Sequence, residues 1–147
     1  MRISTRGRYS LEALLCMALL PGETLSTRAI AKATGVSEGY LEQLFIPLKK
    51  AGIVRAFRGP RGGYVPGREP DKISAGEILR TAEGSLQPAD CAAADSGKTK
   101  ACPVSGDCGA RQIWMELFSE INNCIDSITL ADLVESYRAM DKAEKSV

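Results

Sequence analysis

The sequence predicts a mainly α-helical protein with one small β hairpin. Three observations lead there. Apolar residues recur at helical spacing in most of the longer segments. One stretch, GIVRAFRGPRGGYVPG over residues 52–67, reads as strand, tight turn, strand. The 147 residues are 44% apolar and 25% charged, as in ordinary globular chains. The longest apolar run, LEALLCMALLP from Leu11, is too short and interrupted to cross a bilayer. The start, MRISTRGRYS, is basic, but no small-residue cleavage site follows a clean apolar core, so no signal peptide is expected. The expected location is the cytoplasm, with no membrane partner.

The first helix is expected from about Tyr9 to Leu20, with Leu11, Leu14, Leu15, Ala18 and Leu19 on its apolar face and Pro21-Gly22 ending it. Cys16 falls inside it and is read as core packing, since free cysteine is readily buried. A second helix begins at the N-cap residue Ser26 and ends at Gly35. A third begins at Ser37. Val36 and Leu41 fit a hydrophobic staple around that start. Leu41, Leu44, Phe45 and Leu48 then mark a buried face. Gly39, Tyr40, Glu42 and Gln43 fall mostly on the other side. Pro47 breaks the pattern: its ring removes a backbone hydrogen bond and crowds the carbonyl of Gln43, at roughly 3 kcal/mol. A kink, or a last turn re-formed as a separate piece, is expected there.

Two short helices joined by TGVS make a helix-turn-helix pattern, although an ordinary helical hairpin would look the same. The hairpin that follows changes the weighting. Its turn carries Arg58 and Arg61, with Arg55 nearby. A basic hairpin after a helix-turn-helix is a wing, and a wing arginine can enter the minor groove. Lys49 and Lys50 add to the charge. The residues expected to face double-stranded DNA are Tyr40, Glu42, Gln43, Lys49, Lys50, Arg58 and Arg61. The charge balance agrees: residues 1–72 carry a net +6 and residues 73–147 a net −5. The fold expected is therefore a winged helix-turn-helix domain over residues 1–72, followed over 73–147 by a cysteine-containing sensor loop and dimerisation helices.

In that second part, Ser74 caps a short helix in DKISAGEILRTAEGSL. A long helix from about Arg111 to Ile128 carries Ile113, Trp114, Leu117, Phe118, Ile121, Cys124, Ile125 and Ile128 on one broad face. A homodimer through paired long helices would bury that face. Cys124 on it is read as packing. TLADLVESYRAM reads as a further short helix with a frayed polar tail.

Between these helices lies CAAADSGKTKACPVSGDC, which holds three of the five cysteines. Its residues cannot build a core. Cys91, Cys102 and Cys108 as thiolates suit soft metals, above all an iron–sulfur cluster, and Lys98 and Lys100 could offset some of the charge. Zinc would need a fourth ligand, and the tight C-x-x-C knuckles common in zinc sites are absent. Free surface thiols are the bland alternative. The chain has no histidine, which removes the usual base for activating a nucleophilic cysteine. An enzyme is not expected, and a cysteine-based redox protein or electron carrier is a distant third reading.

MRISTRGRYSLEAL, GVSEGYLEQLFIPLKKAGIV, RGPRGGYVPG and SITLADLV, with three cysteines between wing and long helix, resemble the Rrf-two family of bacterial winged-helix transcription regulators. The resemblance covers nearly the whole chain. It implies a homodimer that crosses its long helices and reads a pseudo-palindromic operator. It places Glu42 and Gln43 at base-reading positions, where glutamine suits adenine and glutamate can accept from cytosine N4. Arg58 matches the family's wing arginine. Gly39 stands where some members have serine. Cys91, Cys102 and Cys108 match the family's cluster cysteines in order and location, for a 2Fe–2S or a 4Fe–4S cluster. The fourth ligand stays open. A histidine used by some members is Arg111 here, and an aspartate that others supply from the partner subunit's first helix is Arg8. Glu12, Asp90, Asp95 and Asp107 are candidates, as is solvent or a small thiol. A weakly held fourth position would suit a sensor of iron–sulfur, redox or nitric-oxide status. A clusterless regulator of the same family, using thiol oxidation or zinc, is the alternative.

Overall fold

The computed structural model describes residues 3–84, 86 and 108–146. Six α-helices and one antiparallel hairpin follow in order: α1 (Thr5–Ala18), α2 (Thr27–Thr34), α3 (Glu38–Lys50), β1 (Val54–Phe57), β2 (Gly63–Pro66), a short 3-10 turn (Pro70–Lys72), α4 (Ala75–Glu83), α5 (Gly109–Ser127) and α6 (Leu130–Lys145). This is the mainly helical, winged architecture expected.

Three of the helix starts share one device. Ser26, Ser37 and Ser74 each accept from the backbone N–H three residues on, which satisfies a group that the helix leaves unpaired. Thr129 and Asp132 form a reciprocal capping box on α6. Gly35 closes α2 at φ 71°, a left-handed conformation that glycine adopts without strain.

Packing centres on α3. Leu41, Leu44, Phe45 and Leu48 are buried against Ala13, Leu14 and Met17 of α1 and Ile30 of α2. Val36 and Leu41 are both buried, as the staple requires. The same core takes in Ile73, Ile78, Leu130 and Val134, so α4 and the start of α6 pack with the helix-turn-helix. Backbone bonds tie these segments: Ala75 N–H donates to Ile128 at 2.8 Å and Leu130 N–H to Ile73 at 2.8 Å. The hairpin pairs Arg55 with Val65 and Ala56 with Tyr64. Leu25 adds a short third bridge to Tyr64.

Three expectations need correction. α3 runs unbroken through Pro47, and no separate last turn forms. Proline removes only the bond to Gln43, and Gln43 is exposed, so water can meet its carbonyl. α6 does not fray after Met140 but continues to Lys145, where Lys145 pairs with Asp141 at 2.7 Å, one helical turn back. α1 begins at Thr5, earlier than the apolar pattern suggested, because Ser4 caps it.

Candidate nucleic-acid interface and thiol site

The buried side of α3 anchors the helix and turns its polar side outward. Glu42 and Gln43 are exposed, as are Lys49 and Lys50 in the last turn. Gly39 is open: a Cβ there would meet nothing within 4 Å. Tyr40 differs from its neighbours. It is half-buried and meets Tyr9 of α1 edge to face, with ring centroids 6.1 Å apart and planes at 89°. Arg8 covers the Tyr9 ring at 4.7 Å.

The wing is fixed at its root and free at its tip. Tyr64 packs on buried Phe45, with centroids 4.5 Å apart, and Lys49 lies 5.9 Å from the Tyr64 ring. Arg55 donates to the Gly67 carbonyl at 3.1 Å. At the tip, Gly62 N–H donates to the Gly59 carbonyl at 2.9 Å, which closes a turn with Pro60 and Arg61 at its centre. Arg58 and Arg61 are exposed. The hairpin is therefore anchored at its root and carries two exposed cations at its tip, beside an exposed polar helix face.

The thiols are only partly described. Cys91 and Cys102 lie outside the described residues, as do Asp90, Asp95, Asp107, Lys98 and Lys100. Cys108 is the N-cap of α5, half-buried and free, and its side chain makes no capping bond. Glu12 pairs through one carboxylate oxygen with Arg8 at 3.4 Å, and both side chains are exposed. Among the described residues no three His, Cys, Asp or Glu side chains gather. Cys16 is half-buried, and burial pushes its thiol pKa up, away from the reactive thiolate, in keeping with a packing role.

The long-helix face is bare. No residue of α5 is buried. Ile113 is 64% exposed, Leu117 43% and Trp114 40%, and Cys124, expected to pack, is exposed in the single chain. α4 and α5 meet through half-buried Ile125, which packs at Gly76, and through polar bonds: Arg80 donates to Asn122 at 2.7 Å and pairs with Asp126. No described helix is long and apolar enough to cross a membrane.

The residue that sequence reasoning missed is Glu83, the last of α4. One of its carboxylate oxygens accepts from Ser4 N–H at 2.9 Å, Ser4 Oγ at 2.8 Å and Gly7 N–H at 3.0 Å. The partners stand 76 and 79 positions apart, and no local pattern marks such a pair.

Known proteins match this chain closely. The family model Rrf2, described as an iron-dependent transcriptional regulator, matches residues 3–136. The HTH-type transcriptional regulator CymR of Bacillus subtilis is 40% identical over 134 residues, which is 90% of this chain and 89% of that one. The regulator IscR of Sodalis glossinidius is 34% identical over 146 residues, 99% of this chain and 86% of that one. The solved structure of CymR, the global cysteine regulator of B. subtilis, superposes with a TM-score of 0.74 at 36% identity, covering 92% of this chain and 98% of that one.

Proposed function

Since this chain belongs to the Rrf2 family and is a transcriptional regulator rather than an enzyme, we propose that it reads duplex DNA as a homodimer and adjusts that reading through Cys91, Cys102 and Cys108. The observation that carries the reading is the exposed polar side of α3 set beside an arginine-tipped hairpin anchored on Phe45. Glu42 and Gln43 are the base-reading pair. Lys49, Lys50, Arg58 and Arg61 meet phosphates or the minor groove, and Tyr40 sets the helix that carries the pair. Residues 1–72 do the reading, and residues 73–147 sense and dimerise. The shared core gives the two halves mechanical contact. The bare face of α5 is the dimer surface, and the protein works beside the chromosome in the cytoplasm.

The free thiol of Cys108 fits a ligand role, and Cys91 and Cys102 would complete a three-thiolate set. Such a set suits an iron–sulfur cluster, which supplies a redox-active centre whose gain or loss changes local charge. The fourth position stays open among Glu12, Asp90, Asp95 and Asp107, solvent or a small thiol. One observation favours a second reading: the likeness to a regulator named for cysteine, which supports a clusterless thiol or zinc switch. The two readings separate in protein purified without oxygen. Absorption in the roughly 300–500 nm range of thiolate-bound iron, with matching iron and acid-labile sulfide, supports the cluster. Iron-free protein that resists reconstitution supports the switch. In either case, replacing Arg58 and Arg61 with alanine should lower the slope of log affinity against log salt by about 1 for each phosphate that the wing no longer neutralises. An unchanged slope counts against the wing.

A further inference from the structure

We propose that Glu83 is a positioning residue for DNA recognition, acting through the start of α1 and the Tyr9–Tyr40 contact on α3. The inference rests on α3 being the reading helix. The first N–H groups of a helix lack partners within it. In α1 they find two acceptors. Ser4 Oγ takes the Arg6 N–H at 3.1 Å, and one Glu83 oxygen takes the N–H groups of Ser4 and Gly7. The carboxylate also sets a negative charge at the positive end of the helix dipole. The approach is close: a Cβ at Gly7 would lie 2.5 Å from Glu83 Oε1, 3.1 Å from Ile3 and 3.2 Å from Leu79, so a side chain there would push the carboxylate away. Two residues further along the same helix, Tyr9 presses edge to face on Tyr40. Tyr40 lies in the opening turns of α3, two and three residues before Glu42 and Gln43.

A helix is stiff over one turn. Movement of α1 at Gly7 therefore reaches Tyr9, and through it the base-reading end of α3. Glu83 ends α4, and the chain runs on from it into the segment that carries Cys91 and Cys102. The departure point of the cysteine segment and the recognition helix thus share one continuous set of contacts.

The test uses the full-length protein and a duplex that the wild type selects from a random pool, with a scrambled duplex as control. Glu83→Ala should weaken binding to the selected duplex by about fivefold or more, the low end of coupling between sites. Binding to the scrambled duplex should stay unchanged. Tyr9→Leu should act in the same direction. The double variant should lose no more than the worse single variant, because both break one path. Glu83→Gln retains an acceptor oxygen and should recover most of the loss. Additive losses, or equal losses on the scrambled duplex, overturn the proposal. If Glu83→Ala shows no cooperative thermal transition, Ser4→Ala takes its place in the cycle. If the wild type selects no duplex at all, the DNA-reading assignment is what fails. Hydrogen exchange then decides on Glu83: faster exchange at residues 40–43 in the Glu83 variant supports the path, and exchange confined to α1 overturns it.

Discussion

Adding a single methyl group at Gly76 tests how α4 holds α5. Gly76 is buried near the start of α4. Helix propensity favours alanine over glycine by about 1 kcal/mol in a helix interior, and by less in a first turn. Sequence logic alone therefore predicts a more stable protein. The tertiary contacts predict the reverse. A Cβ at Gly76 would collide with Asp126 Oδ1 and would sit 3.0 Å from both Arg80 Nη2 and Ile125 Cγ1. Making room means swinging Asp126 aside, which opens its pair with Arg80 and strains the Arg80–Asn122 bond, and shifting Ile125 by a few tenths of an ångström. The Arg80 and Asp126 side chains are more than a third exposed, so solvent screening reduces the worth of these bonds to about 1–2 kcal/mol. Looser packing of half-buried Ile125 adds about 1 kcal/mol. Set against the propensity gain, the net is a loss of about 1–2 kcal/mol. In a chain of this size that lowers Tm by about 2–8 °C. Thermal unfolding should be followed at one fixed protein concentration, because self-association makes Tm concentration-dependent. Hydrogen exchange should rise along α5 and stay flat in α3. Placing Gly76→Ala in an Asp126→Ala background should shrink the loss, since the obstructing carboxylate is gone. A Gly76→Ala protein with a higher Tm than the wild type would refute the reasoning.

Three further outcomes are expected. Ser10 is fully buried and its hydroxyl has no hydrogen-bond partner among the described residues, so Ser10→Ala should raise stability by about 1 kcal/mol in urea unfolding; a loss would mean that the hydroxyl is satisfied. Leu117→Asp puts a charge on the bare face of α5 and should leave the core intact. Sedimentation velocity should then show a dimer for the wild type and a monomer for the variant, whereas an unchanged dimer would move the interface elsewhere. The Asp132 carboxyl is held below its ordinary pKa by hydrogen bonds from the backbone and side chain of Thr129. Its contribution is therefore present above the usual carboxylate range and is lost as pH falls through the lowered folded value. The difference in Tm between the wild type and Asp132→Asn should narrow on acidification and vanish at the acid end, and a difference independent of pH would contradict the capping role.

The sequence by itself determined the local elements and the kind of site. Apolar periodicity placed the buried face of α3, because Leu41, Leu44, Phe45 and Leu48 repeat at the helix period. Serine chemistry marked the starts of α2, α3 and α4, since a short side-chain oxygen must meet an N–H within three residues. Gly-Pro and Gly-Gly pairs marked the wing turn. These signals are local, so they survive in a linear string. The tertiary structure decided what depends on distant partners. It showed that Glu83, 79 positions from Ser4, accepts from Ser4 and Gly7 at the start of α1, beside the local cap that Ser4 supplies. It drew Tyr40 partly inward onto Tyr9, where helical spacing alone had turned it outward. It let α3 pass through Pro47, because the orphaned carbonyl belongs to an exposed residue and can meet water. It left the apolar face of α5 uncovered, which periodicity can locate but cannot partner. Each of these outcomes turns on which surfaces meet when the chain closes on itself, and a sequence states the surfaces without stating their meetings.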